Sequence, residues 1–310
     1  MLKKLKQYPV FQVLRDSVLG FGKKDSMTFA ASTAFYTIFS MPALLIMILN
    51  IGSAFYTHEN AVRKELLNQV STLSGPDTAK TLDGIIQNVS SDPSGIVAQI
   101  FAIVVLAFTA TTVFVSLQNS LNHIWGIRPK PNRGYIKFLL NRLISFSMVA
   151  SFGFILMVSL IIDALVVVLF DYFEQFLIED KAWLVTAVNF VFSQALLVLI
   201  FGLIYKILPD AKVKWKDVWL GAFITMLLFG LGKYLIGIYM GNSDMGSAYG
   251  AAGSLVILLI WVYFSAIIFL FGAHITFHIA RRYGGNITPV KQAVRIKIVE
   301  VDQETDPEAD

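Results

Sequence analysis

Hydrophobic positions in this chain come in long blocks rather than in short alternations. Six segments run without Asp, Glu, Lys or Arg: Ser26–Thr57, Pro93–Ile127, Leu143–Ile162, Ala182–Tyr205, Val218–Gly232 and Met245–Ala280. The third continues past Asp163 to Phe170, and the fifth past Lys233 to Met240. A helix needs about 20 apolar residues to cross a bilayer, and each block meets that length. The pattern predicts an all-α membrane protein, a bundle of six transmembrane helices. The spans fall at 28–55, 96–124, 143–170, 182–207, 218–240 and 250–280, within a membrane domain of 25–283.

The joining segments have patterns of their own. In 56–95, Val62, Leu66, Leu67, Val70 and Leu73 repeat at helical spacing, and after Gly75-Pro76 so do Leu82, Ile85, Ile86 and Val89. This predicts two short amphipathic helices between the first two spans. Residues 1–24 form a charged, amphipathic segment lying on the inner membrane surface, with Leu2, Leu5, Val10, Val13, Leu14 and Leu19 toward lipid. Residues 284–310 form a cytoplasmic tail, acidic and disordered from about 300.

Charge supplies the orientation. The N-terminus, the second loop, the fourth loop and the C-terminus hold 20 of the 25 Lys and Arg residues. Arg63, Lys64, Lys80 and Lys181 lie on the other side. Basic loops mark the cytoplasmic face, so both termini are expected inside. The net charge of +4 is then topology and contact with anionic lipid headgroups, not a nucleic-acid surface. Hydrophobic residues make up 56% against 15% charged, with a mean hydropathy of +0.66, which excludes an ordinary soluble enzyme. The absence of cysteine excludes disulfides, thiolate metal sites and a Cys nucleophile. No cofactor is called for.

Polar residues at membrane depth are costly and ask for a role. In the second span Thr109, Thr112, Ser116, Asn119 and His123 share one stripe, flanked by Gln118 and Asn122. Two readings stand: hydrogen bonds between helices, or the wall of a water-filled inner vestibule. In the first span Asp25, Thr28, Ser32, Tyr36 and Ser40 run along one side, and Pro42 is placed to kink the helix. Asp25 either caps the helix or belongs to the vestibule. Asp163 and Lys233 fall at similar depth in the outer half; they form an ion pair, or Lys233 snorkels outward. His274 and His278 are four apart, but no Glu or nearby carboxylate completes a metal motif. They read as interfacial histidines.

Several of these residues also carry a resemblance. Asp25 followed by Phe29-Ala30-Ala31, Phe35-Tyr36 and Ser40-Met41-Pro42 resembles the first-helix signature of the YihY/virulence factor BrkB family, formerly labelled ribonuclease BN. Three further segments match: Leu121-Asn122-His123-Ile124-Trp125; Tyr205-Lys206-Ile207-Leu208-Pro209 with Trp219-Leu220-Gly221-Ala222; and Tyr249-Gly250 with Leu259-Ile260-Trp261-Val262-Tyr263 and Gly272-Ala273. The resemblance spans roughly residues 12–283. It implies six helices in the bacterial inner membrane and hints at envelope lipid export or transport. The chain departs at His274 and Thr276, where the resemblance leads one to expect Glu and Asn.

The older family label implies RNA hydrolysis. That chemistry needs clustered His and carboxylates around metal. The chain has four His and no H-x-H-x-D cluster, and no G-x-x-x-x-G-K-[ST] loop for ATP. The expectation is therefore non-enzymatic and non-ATP-hydrolysing; the polar stripes, the Pro42 kink and the intramembrane charges point to a transporter or exporter, and the resemblance implies an envelope-related, lipid or amphiphilic substrate. Its pathway residues would be Asp25, Ser32, Tyr36, Ser40, Pro42, Thr112, Ser116, Asn119, Asn122 and His123. The alternative is a membrane scaffold that transports nothing. Expected partners are membrane lipids, with homo-oligomer formation left open and no nucleic acid.

Overall fold

The structure, a computed structural model, describes residues 9–55, 96–130, 182–241, 253–284 and 287–296, together with scattered positions in 63–87 and 143–151. Asp163, the glycine-rich segment 242–252 and the acidic residues beyond 296 lie outside the described residues.

Five of the six apolar blocks are helices among the described residues, and most of the third block, 143–170, lies outside them. In chain order the described helices are α1 Pro9–Lys23, from the amphipathic N-terminal segment, then α2 Ser26–Phe55, α3 Ile96–Ile124, α4 Ala182–Ile207, α5 Trp215–Gly241 and α6 Gly253–Ile279. Among the described residues, Phe190–Ile207, Trp215–Tyr239 and Leu255–Gly284 are long and apolar enough to cross a membrane, judged by length and composition. α2 and α3 have 30 and 29 residues, each about 45 Å at 1.5 Å per residue. α2 continues through Pro42 without a break. Described positions in the 63–87 segment are helical, and Arg63 Nε donates to Asp83 Oδ1 at 2.8 Å.

Local chemistry sets the helix ends. Asp25 stands at the elbow between α1 and α2 with φ of 48°, a left-handed conformation that Asp tolerates better than most residues. Its carbonyl accepts the first bond of α2, from Phe29 N at 3.1 Å. Gly126, with φ of 66°, ends the turn that follows α3. α6 passes into a single wide turn, Ala280–Gly284.

α6 is the hub. It packs against α1, α2, α3 and α5, while α2 pairs with α3 and α4 with α5. Close approach is possible because glycines face hydroxyls. A Cβ on Gly221 would overlap Thr276 Oγ1, and one on Gly272 would overlap Thr225 Oγ1 and crowd the Tyr205 hydroxyl. Those hydroxyls are satisfied. Tyr205 donates to the Phe269 carbonyl at 2.7 Å and lies 3.1 Å from Thr225 Oγ1. Thr225 and Thr276 bond back to the Gly221 and Gly272 carbonyls. The opposite face of α5 exposes Phe223, Leu227, Leu231, Leu235 and Ile238, as a lipid-facing surface would.

The all-α expectation needs one amendment. Four short strands gather at the end of the bundle where α3, α4 and α6 stop. β1 (Ile127–Pro129) pairs antiparallel with β4 (Ala293–Arg295), and β2 (Ala211–Lys212) with β3 (Thr288–Pro289). Residues 287–296 thus form a strap across the loops that follow α3 and α4. Lys130 N to the Gln292 carbonyl, Ile296 N to the Gly126 carbonyl and Val290 N to the Asp210 carbonyl extend it. Val13, read as facing lipid, turns inward, and Trp125 at the end of α3 is enclosed as well. Val13 on α1 packs on Ile275 and Ile279. Trp125 is buried, and its indole donates to the Ala273 carbonyl at 3.3 Å.

The glycine contacts yield a prediction. Gly230 has open space around its Cβ position. Gly230→Ala should therefore raise the thermal stability of the solubilised chain slightly, since Gly in a helix costs about 0.5–1 kcal/mol relative to Ala. Gly272→Ala should lower stability by about 1–3 kcal/mol through overpacking. Unfolding temperatures that move equally for both variants would contradict the packing.

Candidate functional site

The polar residues of α2 and α3 divide into two sets. One set is spent on packing. Ser26, Thr33 and Ser40 on α2 are buried with Ala30 and Ala34, and Ser116, Ser120 and Asn122 are buried on α3. Thr33 Oγ1 lies 3.1 Å from Ser116 Oγ across the interface. Ser120 and Thr112 bond back to the Ser116 and Phe108 carbonyls. Asn122 grips the loop after α4: its Nδ2 donates to Asp210 Oδ2 at 2.8 Å, and Asp210 N donates to its Oδ1 at 2.9 Å.

The second set stays accessible. Asp25 at the elbow, Thr28 and Tyr36 on α2 and Asn119 on α3 are exposed; Ser32, Thr112 and His123 are half-buried. The two rows meet where the Phe29 ring lies 4.7 Å from the His123 ring. Of the residues read as a pathway, Ser40, Ser116 and Asn122 face into the packing and the others flank it; nothing is described of the Pro42 side chain. Lys233 lines an open groove of about 400 Å³ with Gly230, Tyr234, Gly237 and Ile238 on α5.

Where the α1–α2 elbow meets the ends of α3 and α6, a cluster forms that sequence reasoning missed. Ser26 Oγ lies 2.9 Å from His274 Nε2, and both residues are completely buried. Phe21 meets His274 edge-on at 5.7 Å. Lys24 donates to the Ile124 carbonyl at the α3 C-terminus, where a helix favours a cation. It also stands 4.7 Å over the Phe277 ring. Burial, and then the like charge of Arg281, hold its ammonium below the ordinary lysine range. On the outside Arg282 reaches Gln12 of α1.

The signal for this cluster was faint. His274 and Ser26 are 248 residues apart, and a lone Ser at a helix start reads as a cap. The strap left a clearer trace, since Ile287, Thr288 and Val290 are β-branched residues around Pro289. Among the described residues no group of three His, Cys, Asp or Glu side chains could hold a metal ion.

Known proteins give this arrangement a context. The chain is 24% identical over 258 residues to a UPF0761 membrane protein of Aeromonas salmonicida, covering 81% of this chain and 83% of the relative. It is 27% identical over 248 residues to a UPF0761 membrane protein of Haemophilus influenzae, covering 79% and 87%. A third, from Verminephrobacter eiseniae, is 27% identical over 263 residues that cover 83% of this chain and 59% of the relative, so this chain spans little more than half of some relatives. No solved structure matches the chain. A model of the family described as virulence factor BrkB matches residues 17–297, and the chain belongs to that family of membrane proteins.

Proposed function

We propose that this integral membrane protein is a six-span, N-in/C-in transporter of the bacterial inner membrane. It moves an envelope-related amphiphile, without ATP hydrolysis, through a vestibule between α2 and α3. The observation that carries the reading is the accessible polar row of Asp25, Thr28, Ser32, Tyr36, Asn119 and His123 on adjoining edges of the two helices. Such groups are expensive against lipid and are stable against water. Asp163 and Lys233 would add a charge pair deeper in the membrane.

Two features support the orientation and the non-enzymatic role. Lys24, Arg128, Lys206, Lys212, Arg281 and Arg295 belong to the segments gathered at the strap end, where anionic headgroups would meet them. Ser26 and His274 have the spacing of a nucleophile and its base, but both are fully buried, so a substrate has no route to the Ser26 hydroxyl.

The scaffold reading keeps one specific observation on its side. The Thr33–Ser116 contact and the Asn122–Asp210 pair show polar groups holding elements together.

Because the chain has no native cysteine, labelling separates the two readings. Asn119→Cys and Ser32→Cys should react with a membrane-impermeant maleimide in inside-out vesicles, about tenfold faster than the buried Thr33→Cys and Ser120→Cys, given the full exclusion of solvent in a packed interior. Equal, slow labelling at all four would favour the scaffold. For orientation, a reporter active only outside the cytoplasm, fused after Arg282, should stay silent; an active fusion would overturn the N-in/C-in map.

A further inference from the structure

A charge taken out of water is normally paired with an opposite one. Lys24 departs from this rule. It is half-buried at the α1–α2 elbow, donates to the Ile124 carbonyl and stands 4.7 Å over the Phe277 ring. Both contacts attract a cation, but they are dipolar, and neither supplies a negative charge. An ammonium has three N–H donors, and the Ile124 carbonyl takes one.

The groups around Lys24 add positive charge rather than cancel it. Arg281, on the wide turn four residues after Phe277, acts on Lys24 as a like charge. His278 lies edge-on to Phe277 at 5.3 Å and stands in the field of both cations. His123, next to Ile124 on α3, feels Lys24 as well. The acids of this region are engaged elsewhere. Asp16 is held by Arg15 at 2.8 Å, and the exposed Asp25 acts on His123. Among the described residues, neither Lys24 nor Arg281 has a carboxylate within ion-pair distance.

We propose that the elbow is a seat for a phosphate group, held by Lys24 and Arg281, with His278 and His123 at its edge. Phosphate supplies the missing negative charge. Its oxygens are arranged tetrahedrally, and the donors here come from three elements: the elbow, the end of α3 and the turn after α6. A planar carboxylate meets fewer of them. Lys24 acts as a point charge, fixed by Ile124 and Phe277. Arg281 is exposed and brings a planar fork that suits two phosphate oxygens. Each neutral imidazole adds one N–H. A lipid headgroup and a free phosphate share this chemistry. The lipid source rests on the reading of the strap end as a headgroup-facing surface; the seat itself stands whether or not anything moves between α2 and α3.

The test reads the Lys24 amine in the full chain, delipidated in maltoside micelles without phosphate. Trace acetic anhydride is added at about pH 8, below the ordinary lysine range, and mass spectrometry gives the acylation rate of each lysine. Inorganic phosphate is added in one arm, at constant ionic strength, and phosphatidylglycerol in the other. An anion beside an ammonium raises its pKa by about 1–3 units, so the free amine of Lys24 should become at least about tenfold less reactive. The exposed Lys212 and Lys214 should change far less, and Arg281→Gln, at an exposed position, should remove most of the protection. Protection by inorganic phosphate supports a soluble source, and protection by phosphatidylglycerol alone supports a lipid headgroup. No protection in either arm overturns the seat. So does equal protection of Lys24, Lys212 and Lys214, or protection that survives Arg281→Gln. None of these outcomes alters the labelling expected at Asn119 and Ser32, so the seat and the transport reading fail separately.

Discussion

The arrangement rests on how closely α5 and α6 approach. In lipid there is no hydrophobic gain from bringing two apolar helices together, so association depends on close packing and hydrogen bonds. Gly221 against Thr276 and Gly272 against Thr225 supply the closeness, and the Tyr205 hydroxyl ties α4 to α6 at the same level. α6 is then fixed as a post. α2 reaches it through Ser26 and His274, α3 through Trp125 and Ala273, and α1 through Val13. A shift of α6 would be felt in every one of these contacts.

The strap addresses a different problem. The ends of α3 and α4 leave carbonyls and amides without helical partners. A two-stranded ribbon is marginal alone, and neither pair in the strap has more than three residues to a strand. The pairs persist because the helices already hold the loops in place, and Asn122 with Asp210 locks the loop after α4 from the side. In return the chain after α6 joins the loops beyond two helix ends to one another. Lys24 contributes in the same place by seating a cation on the last carbonyls of α3.

How much of this was legible in the sequence follows from what lipid does to patterns. Length without charge marks a helix, so α2 to α6 were plain from their apolar blocks. Which face packs is another matter. Leu, Phe and Val suit lipid as well as they suit a protein interior, and periodicity therefore loses its meaning along such helices. Val13 was placed toward lipid because Val suits it, yet α6 offered it a site within the packing, as it did Trp125. The strap was missed because residues 284–300 were read only as a cytoplasmic tail, and its short strands pair with loops far away in the chain. His274 was taken for an interfacial residue; its partner Ser26 is visible only after the elbow at Asp25 has turned α1 back over α6.

The polar rows of α2 and α3 show the same limit in the other direction. One helical stripe in the sequence became two populations in the fold, because neighbouring positions on a stripe differ in direction by tens of degrees. Ser116 turned to Thr33 while Asn119, three residues on, stayed accessible. Packing can account for the first and not for the second. A hydroxyl that bonds its own helix tolerates lipid, as Thr112 and Ser120 do through the Phe108 and Ser116 carbonyls. An exposed amide such as Asn119 and a carboxylate such as Asp25 have no such refuge. Hydrogen-bonding groups of that strength are stable beside water or other polar groups, which Asp25 has at the interface before the first span.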